Sequence, residues 1–164
     1  TAHGEHQASA LEPRLRGVGF TEVLVSPCLR TRQTCTLAGL GAASRLEPDL
    51  AEWDYGDYEG QRSVDIQKAH PDWDVWRDGC PDGESPAEVS ARADRLIGRL
   101  AAIEGHVALF SHGQFGAALA ARWIGIPLID GRHFALYPAS LSILGHEPAH
   151  PDRRMIELWN EVPG

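Results

Sequence analysis

The chain has 164 residues and a mass of 17.9 kDa, room for one domain around one core and too little for two. Apolar residues make up 43% and charged residues 23%, ordinary globular values that exclude a disordered tail or a collagen-like chain. A net charge of −8 and a pI near 5.4 leave no chain-wide basic field for a nucleic-acid backbone. Lys68 is the sole lysine and follows no G-x-x-x-x-G, which excludes a phosphate-binding P-loop. Cys28, Cys35 and Cys80 are odd in number and form no C-x-x-C. They argue against a zinc site or a disulfide framework and for a reducing, cytoplasmic compartment. The first residues do not read as a signal peptide. The most apolar stretch, Val107 to Ala121, contains Ser111, His112 and Gln114 and is too short to span a bilayer, so no membrane partner is expected.

No repeat or Pro/Ser linker divides the chain, which predicts a single domain over 1–164. Gln7 to Arg16 reads as helical up to Gly17, with Pro13 demanding a kink or an early end. Glu22 to Val25 is a buried-strand run, followed by the turn Ser26-Pro27 and a helix to about Ala38. Arg45 to Leu50 holds a candidate short strand ahead of the acidic and aromatic segment Glu52 to Gly60. A short helix is expected around Pro71 to Trp76. The best helix signal starts at the N-cap Ser85, with Pro86 first inside and Glu88 closing a capping box. Val89, Ala93, Leu96, Leu100 and Ile103 give it one buried stripe, and Gly105 ends it. His106 to Phe110 is a strand, Gly113 opens a helix through Trp123, and Ala139 to Leu144 and Met155 to Trp159 are final strands. This alternation predicts an α/β fold.

Ser111-His112-Gly113 falls where an open α/β sheet places ligands, at a strand's carboxyl end and a helix N-terminus. Free amide N–H groups make an anion the natural guest, and His112 could donate to a phosphoryl oxygen; equally, it could cap the helix or fill space. Ser111 lacks the glycine two residues earlier that a serine-nucleophile elbow needs, since Leu109 stands there. Arg30 follows the turn after a strand and carries the two-pronged guanidinium that suits phosphate; Arg32, two residues on, has the same chemistry. Glu52, flanked by Trp53 and Tyr55, would be partly desolvated, which favours its protonated, general-acid form; a solvated acidic loop is the plainer alternative. None of the three cysteines has the arginine six residues later that a thiol phosphatase uses, so all are expected to fill core space.

In order, these motifs resemble the histidine phosphatase superfamily, the phosphoglycerate-mutase-like fold. Ser26-Pro-Cys-Leu-Arg-Thr-Arg-Gln-Thr34 resembles its S-x-x-x-R-A-x-x-T element, and Leu50 to Gly60 resembles the segment carrying the general acid, placed at Glu52. Gly83-Glu-Ser85 with Arg92 resembles its G-E-S…R helix start, and Ser111-His-Gly113 its second pocket histidine. The wording around residues 52–60 is similar to actinobacterial acid phosphatases of this fold, and partly to sedoheptulose-1,7-bisphosphatases. The resemblance implies a three-layer sandwich: a mostly parallel sheet with helices on both faces. It implies phosphomonoester hydrolysis through a phosphohistidine, without metal or other cofactor, on a small phosphorylated metabolite. Glu52, His112 and Arg30 would be catalytic, and Ser26 and Tyr55 would contact substrate. Hydrolysis of a sugar bisphosphate, phosphoglycerate mutation and phosphate binding without turnover remain alternatives, and a homodimer stays open.

The family's attacking histidine lies in an R-H-G triplet ending its first strand. Ala2-His3-Gly4 does not fit that register, because Thr1, Gly4, Gln7 and Ala8 match the start of the family's first helix instead. The expectation is therefore that the first strand and its histidine precede Thr1, that this strand pairs beside residues 107–110, and that residues 1–164 alone are inactive.

Overall fold

The computed structural model describes residues 1–162. The chain opens with α1 (Ala2–Ser9), for which Thr1 is the N-cap, its Oγ1 accepting from the Gly4 amide at 3.2 Å. A second short helix, α2 (Glu12–Leu15), follows with Pro13 in its first turn, where a missing N–H costs nothing. The predicted single helix thus divides before Pro13 and starts five residues earlier than its pattern suggested, because residues 2–6 carry no apolar stripe.

Next come β1 (Phe20–Val25), α3 (Leu29–Leu37) and β2 (Ser44–Leu46). The expected strand at Arg45 to Leu50 is cut short by Pro48, which begins a 3₁₀ turn over Pro48–Leu50. The helix α4 (Ser63–Ala69) was not foreseen; it buries only Ile66, so it shows almost no periodicity. The short helix expected around 71–76 lies later, as α5 (Val75–Asp78), capped by the Asp74 carboxylate.

The capping box forms as predicted on α6 (Pro86–Leu100): Ser85 accepts from the Glu88 amide and the Glu88 carboxylate accepts from the Ser85 amide. Its buried face is Val89, Arg92, Ala93, Leu96 and Ile97, a stripe that includes a guanidinium. β3 (His106–Phe110), α7 (Gly113–Trp123), β4 (Leu141–Glu147) and β5 (His150–Glu161) complete the chain.

β1 pairs in parallel with β2 on one side and β3 on the other, in the order β2-β1-β3. The last two strands form a separate antiparallel hairpin among the described residues rather than extending this sheet. Trp123 of α7 anchors the hairpin, its Nε1 donating to the Gly145 and Met155 carbonyls at 3.2 Å each. Trp53, Leu50, Val89, Leu96 and Phe115 fill the main core at no more than 1% exposure. Two of these, Trp53 and Phe115, flank the functional segments directly, so the core and the site share walls.

Candidate active site

Because β1 and β3 run in parallel, their carboxyl ends deliver Ser26 and His112 to the same rim of the sheet. Their side chains meet: Ser26 Oγ lies 2.8 Å from His112 Nε2. Arg30, in the first turn of α3, points Nε and Nη2 at His112 Nδ1, at 3.2 and 2.9 Å. A guanidinium only donates, so Nδ1 is the acceptor and the imidazole here is neutral, with its proton on Nε2 facing Ser26. The electrostatics agree. Burial pushes the His112 pKa below its ordinary value, the charges of Arg30 and Arg92 push the same way, and Glu52 opposes them.

Glu52 sits at the start of α7. Its Oε1 accepts from the Phe115 amide at 2.8 Å and its Oε2 from Gln114 at 3.3 Å, while the Trp53 amide also donates to Oε1 at 3.0 Å. The anion expected at this helix N-terminus is thus a carboxylate of the chain itself, held by the amides two and three residues after His112. Glu52 is half-buried, not part of a solvated loop. Beside it, burial raises the Tyr55 phenol pKa, with Cys80, Glu52 and Glu59 adding and the Gln114 side chain opposing.

The loop bearing Glu52 is set by close backbone approach. Gly56 has φ of +49°, and a Cβ there would lie 2.2 Å from the Pro81 carbonyl oxygen; a Cβ on Gly83 would lie 2.4 Å from that of Asp54. Residues 54–57 and 81–84 therefore lie one against the other, joined by bonds from the Glu84 amide to the Asp54 carbonyl (2.9 Å) and the Asp57 amide to the Pro81 carbonyl (2.9 Å).

All five residues singled out from sequence, Ser26, Arg30, Glu52, Tyr55 and His112, come together. One expectation changes. Ser26 is 0% exposed and its hydroxyl engages His112, so it orients the imidazole and has no surface left for substrate. Arg32 is exposed on the far side of α3, lining a groove with Glu5 and Thr36. The cysteines divide: Cys35 is core as expected, while Cys28 and Cys80 are only half-buried because both lie in turns at element ends. Burial pushes the Cys80 thiol up to about 11, aided by Asp54 and Glu59, which keeps it protonated and poorly nucleophilic. Ser111, dismissed as a nucleophile, donates its hydroxyl to the Leu50 carbonyl at 2.8 Å. Gln114 and Phe115 were missed, because their contribution is through backbone amides that any residue could supply.

A profile of the histidine phosphatase superfamily (branch 1) matches residues 1–161. The chain belongs to that superfamily. It is 45% identical over 127 residues to an acid phosphatase of Mycobacterium tuberculosis, an alignment covering 76% of this chain and 62% of the relative. With the sedoheptulose 1,7-bisphosphatase of Saccharomyces cerevisiae it shares 34% identity over 133 residues, 65% of this chain and 49% of that protein. The chain thus spans 62% of the length of the first of these relatives and 49% of the second. Its fold superposes on the solved structure of a Mycobacterium tuberculosis open-reading-frame product with a TM-score of 0.91 and 36% identity, covering 100% of this chain and 85% of that one. As a superfamily member, it has the expected α/β phosphoglycerate-mutase-like architecture. No helix among the described residues is long and apolar enough to cross a membrane.

Proposed function

We propose that the protein is a phosphomonoester hydrolase working through a phosphohistidine, with the phosphate bound between Arg30 and His112. The observation that carries this reading is the bond pair from Arg30 to His112 Nδ1 at a common strand-end rim. A phosphoryl oxygen can replace Nδ1 as the acceptor for the Arg30 fork, and His112, once it carries a proton on Nδ1, becomes a second donor to the same group. Ser26 supports either imidazole state, because a hydroxyl can accept from Nε2 or donate to it.

Glu52 is the proposed general acid. It protonates the leaving alkoxide in the first step and, now a carboxylate, deprotonates the water that hydrolyses the phosphoenzyme in the second. The Gln114 and Phe115 amides hold its two oxygens in place. No metal takes part in this scheme; Arg30 and His112 carry the charge stabilisation.

The attacking imidazole is proposed to come from a strand pairing with β3. His112 is the only buried histidine among the described residues; His3 is exposed in the first turn of α1. Among the described residues β3 hydrogen-bonds to β1 along one edge only, and a parallel strand on its other edge would end beside His112. The acid phosphatase and bisphosphatase names of the two relatives support hydrolysis of a small phosphorylated metabolite.

The test is orthophosphate release from an alkyl and an aryl phosphate by the full-length protein, with rapid acid-free quenching to trap a base-stable, acid-labile phosphoenzyme. Turnover with such an intermediate supports the proposal. Orthophosphate binding with neither turnover nor phosphoenzyme would overturn it and leave a phosphate-binding protein.

A further inference from the structure

α6 buries a charge where its apolar stripe calls for a leucine. Arg92 is 7% exposed, and all of its donor nitrogens are engaged. Nε and Nη2 grip both oxygens of Glu84, at 2.8 and 2.7 Å. Nη1 donates to the carbonyls of Asp49 and Ala51 at 2.9 and 2.8 Å, and Nη2 reaches that of Glu52 at 3.4 Å. The guanidinium carbon lies 4.1 Å from the centre of the Phe115 ring.

We infer that Arg92 is a positioning residue for Glu52, holding its main chain on one side and the Phe115 turn that binds its carboxylate on the other. The inference rests on the proposed role of Glu52 as general acid. Residues 49–52 run through the protein with carbonyls that no sheet or long helix satisfies, and buried carbonyls require donors. A planar fork with five N–H groups can bridge three of them and a carboxylate at once; an ammonium cannot. Glu84 completes the clamp. Its Oε2 accepts from the Asp54 amide at 3.0 Å, and its carbonyl accepts from Trp53 Nε1 at 2.9 Å, so the two residues after Glu52 are fixed as Arg92 fixes Asp49 and Ala51 before it.

A purely stabilising role is a weak account of this pair. Buried ion pairs are commonly replaced by apolar residues with little loss of stability, whereas backbone placement depends on the donors themselves. Arg92 also contributes to the depressed His112 pKa, which ties the clamp to both halves of the site.

The test uses Arg92→Lys and Arg92→Met in the full-length protein, with thermal melts to confirm folding. Loss of Glu52 alignment reduces turnover of an alkyl phosphate about 10-fold or more, while an aryl phosphate with a good leaving group loses much less, and KM stays near the parent value. The second readout needs no turnover. The amide resonances of Gln114 and Phe115 should follow the titration of Glu52 in the parent, and lose that response in Glu52→Gln and in both Arg92 variants. Folded Arg92 variants whose Phe115 amide still reports Glu52 would overturn the inference, as would equal losses on both esters. If no form of the protein turns over phosphate esters, the proposed function fails, and the amide titration alone decides the role of Arg92.

Discussion

Arg30 donates twice to one acceptor, His112 Nδ1, through Nε at 3.2 Å and Nη2 at 2.9 Å. A charged group is thereby held against a neutral imidazole, a pairing that an arriving anion improves for both partners. Arg30 gains a charged acceptor, and His112 gains a reason to take a proton.

Anion binding should therefore consume a proton at His112. Burial first, then Arg30 and Arg92, depress its pKa in the unliganded protein, and a bound anion opposes all three by favouring imidazolium. Sulfate is the useful probe, because it does not itself titrate near neutrality. Its affinity should rise as pH falls through the ordinary imidazole range near 6.5, and His112→Gln should flatten that rise. A pH-independent affinity would mean that His112 answers the anion by changing tautomer against Ser26 instead.

The same depressed pKa has a consequence for stability without ligand. The unfolded chain binds more protons at this residue than the folded one, so its stabilising contribution is present above the unfolded-state pKa near 6.5 and is lost as pH falls toward the lower folded value. Thermal melts between pH 7 and pH 5 should show a drop that is smaller in His112→Gln.

His112→Ala should lower kcat at least about 10²-fold in the full-length protein, by removing the proposed second donor to the phosphoryl group. His106 and His133 are exposed, and their alanine variants should stay near the parent. Arg30→Lys should be nearly as damaging as Arg30→Ala, since the two-nitrogen contact is lost either way. Arg32→Ala, on the opposite side of α3, should leave kcat/KM within a few-fold.

Glu52→Gln keeps the shape of the side chain and its amide contacts through one oxygen but cannot deliver a proton. It should reduce turnover of an alkyl phosphate by roughly 10²–10⁴-fold and that of an aryl phosphate far less, because a phenolate leaves without help. Uniform loss on both esters would assign Glu52 to binding.

Gly83 and Gly98 make a matched pair for stability. A methyl at Gly83 would lie 2.4 Å from the Asp54 carbonyl oxygen, whereas at Gly98, on the exposed face of α6, it meets nothing within 4 Å. Gly83→Ala should destabilise by roughly 1–3 kcal/mol through forced displacement of the loop before it reaches Glu52. Gly98→Ala should stabilise by about 1 kcal/mol through helix propensity. Chemical denaturation of both variants measures the difference.

What the residues alone disclosed follows from short-range rules. The capping box at Ser85, the break near Pro13 and the strand run into Ser111-His112 each depend on a few neighbours in sequence, and each is present in the fold. The helix α4 and the true length of β2 were illegible, because one buries a single side chain and the other is only three residues long. Motif order likewise brought Ser26, Arg30, Glu52, Tyr55 and His112 forward as candidates. Their arrangement was decided elsewhere. Whether Ser26 faced substrate or His112 depended on the parallel register of β1 and β3, and the partner of the α7 N-terminus depended on a loop more than 60 residues earlier in the chain. Arg92 shows the limit best: its position on α6 marks it as buried, but its role comes from three carbonyls and an aromatic ring that only tertiary packing gathers around it. Local pattern fixes where a helix or strand forms, because the interactions act across a few residues; hydrogen-bond partners across the fold are chosen by which buried polar groups would otherwise go unsatisfied.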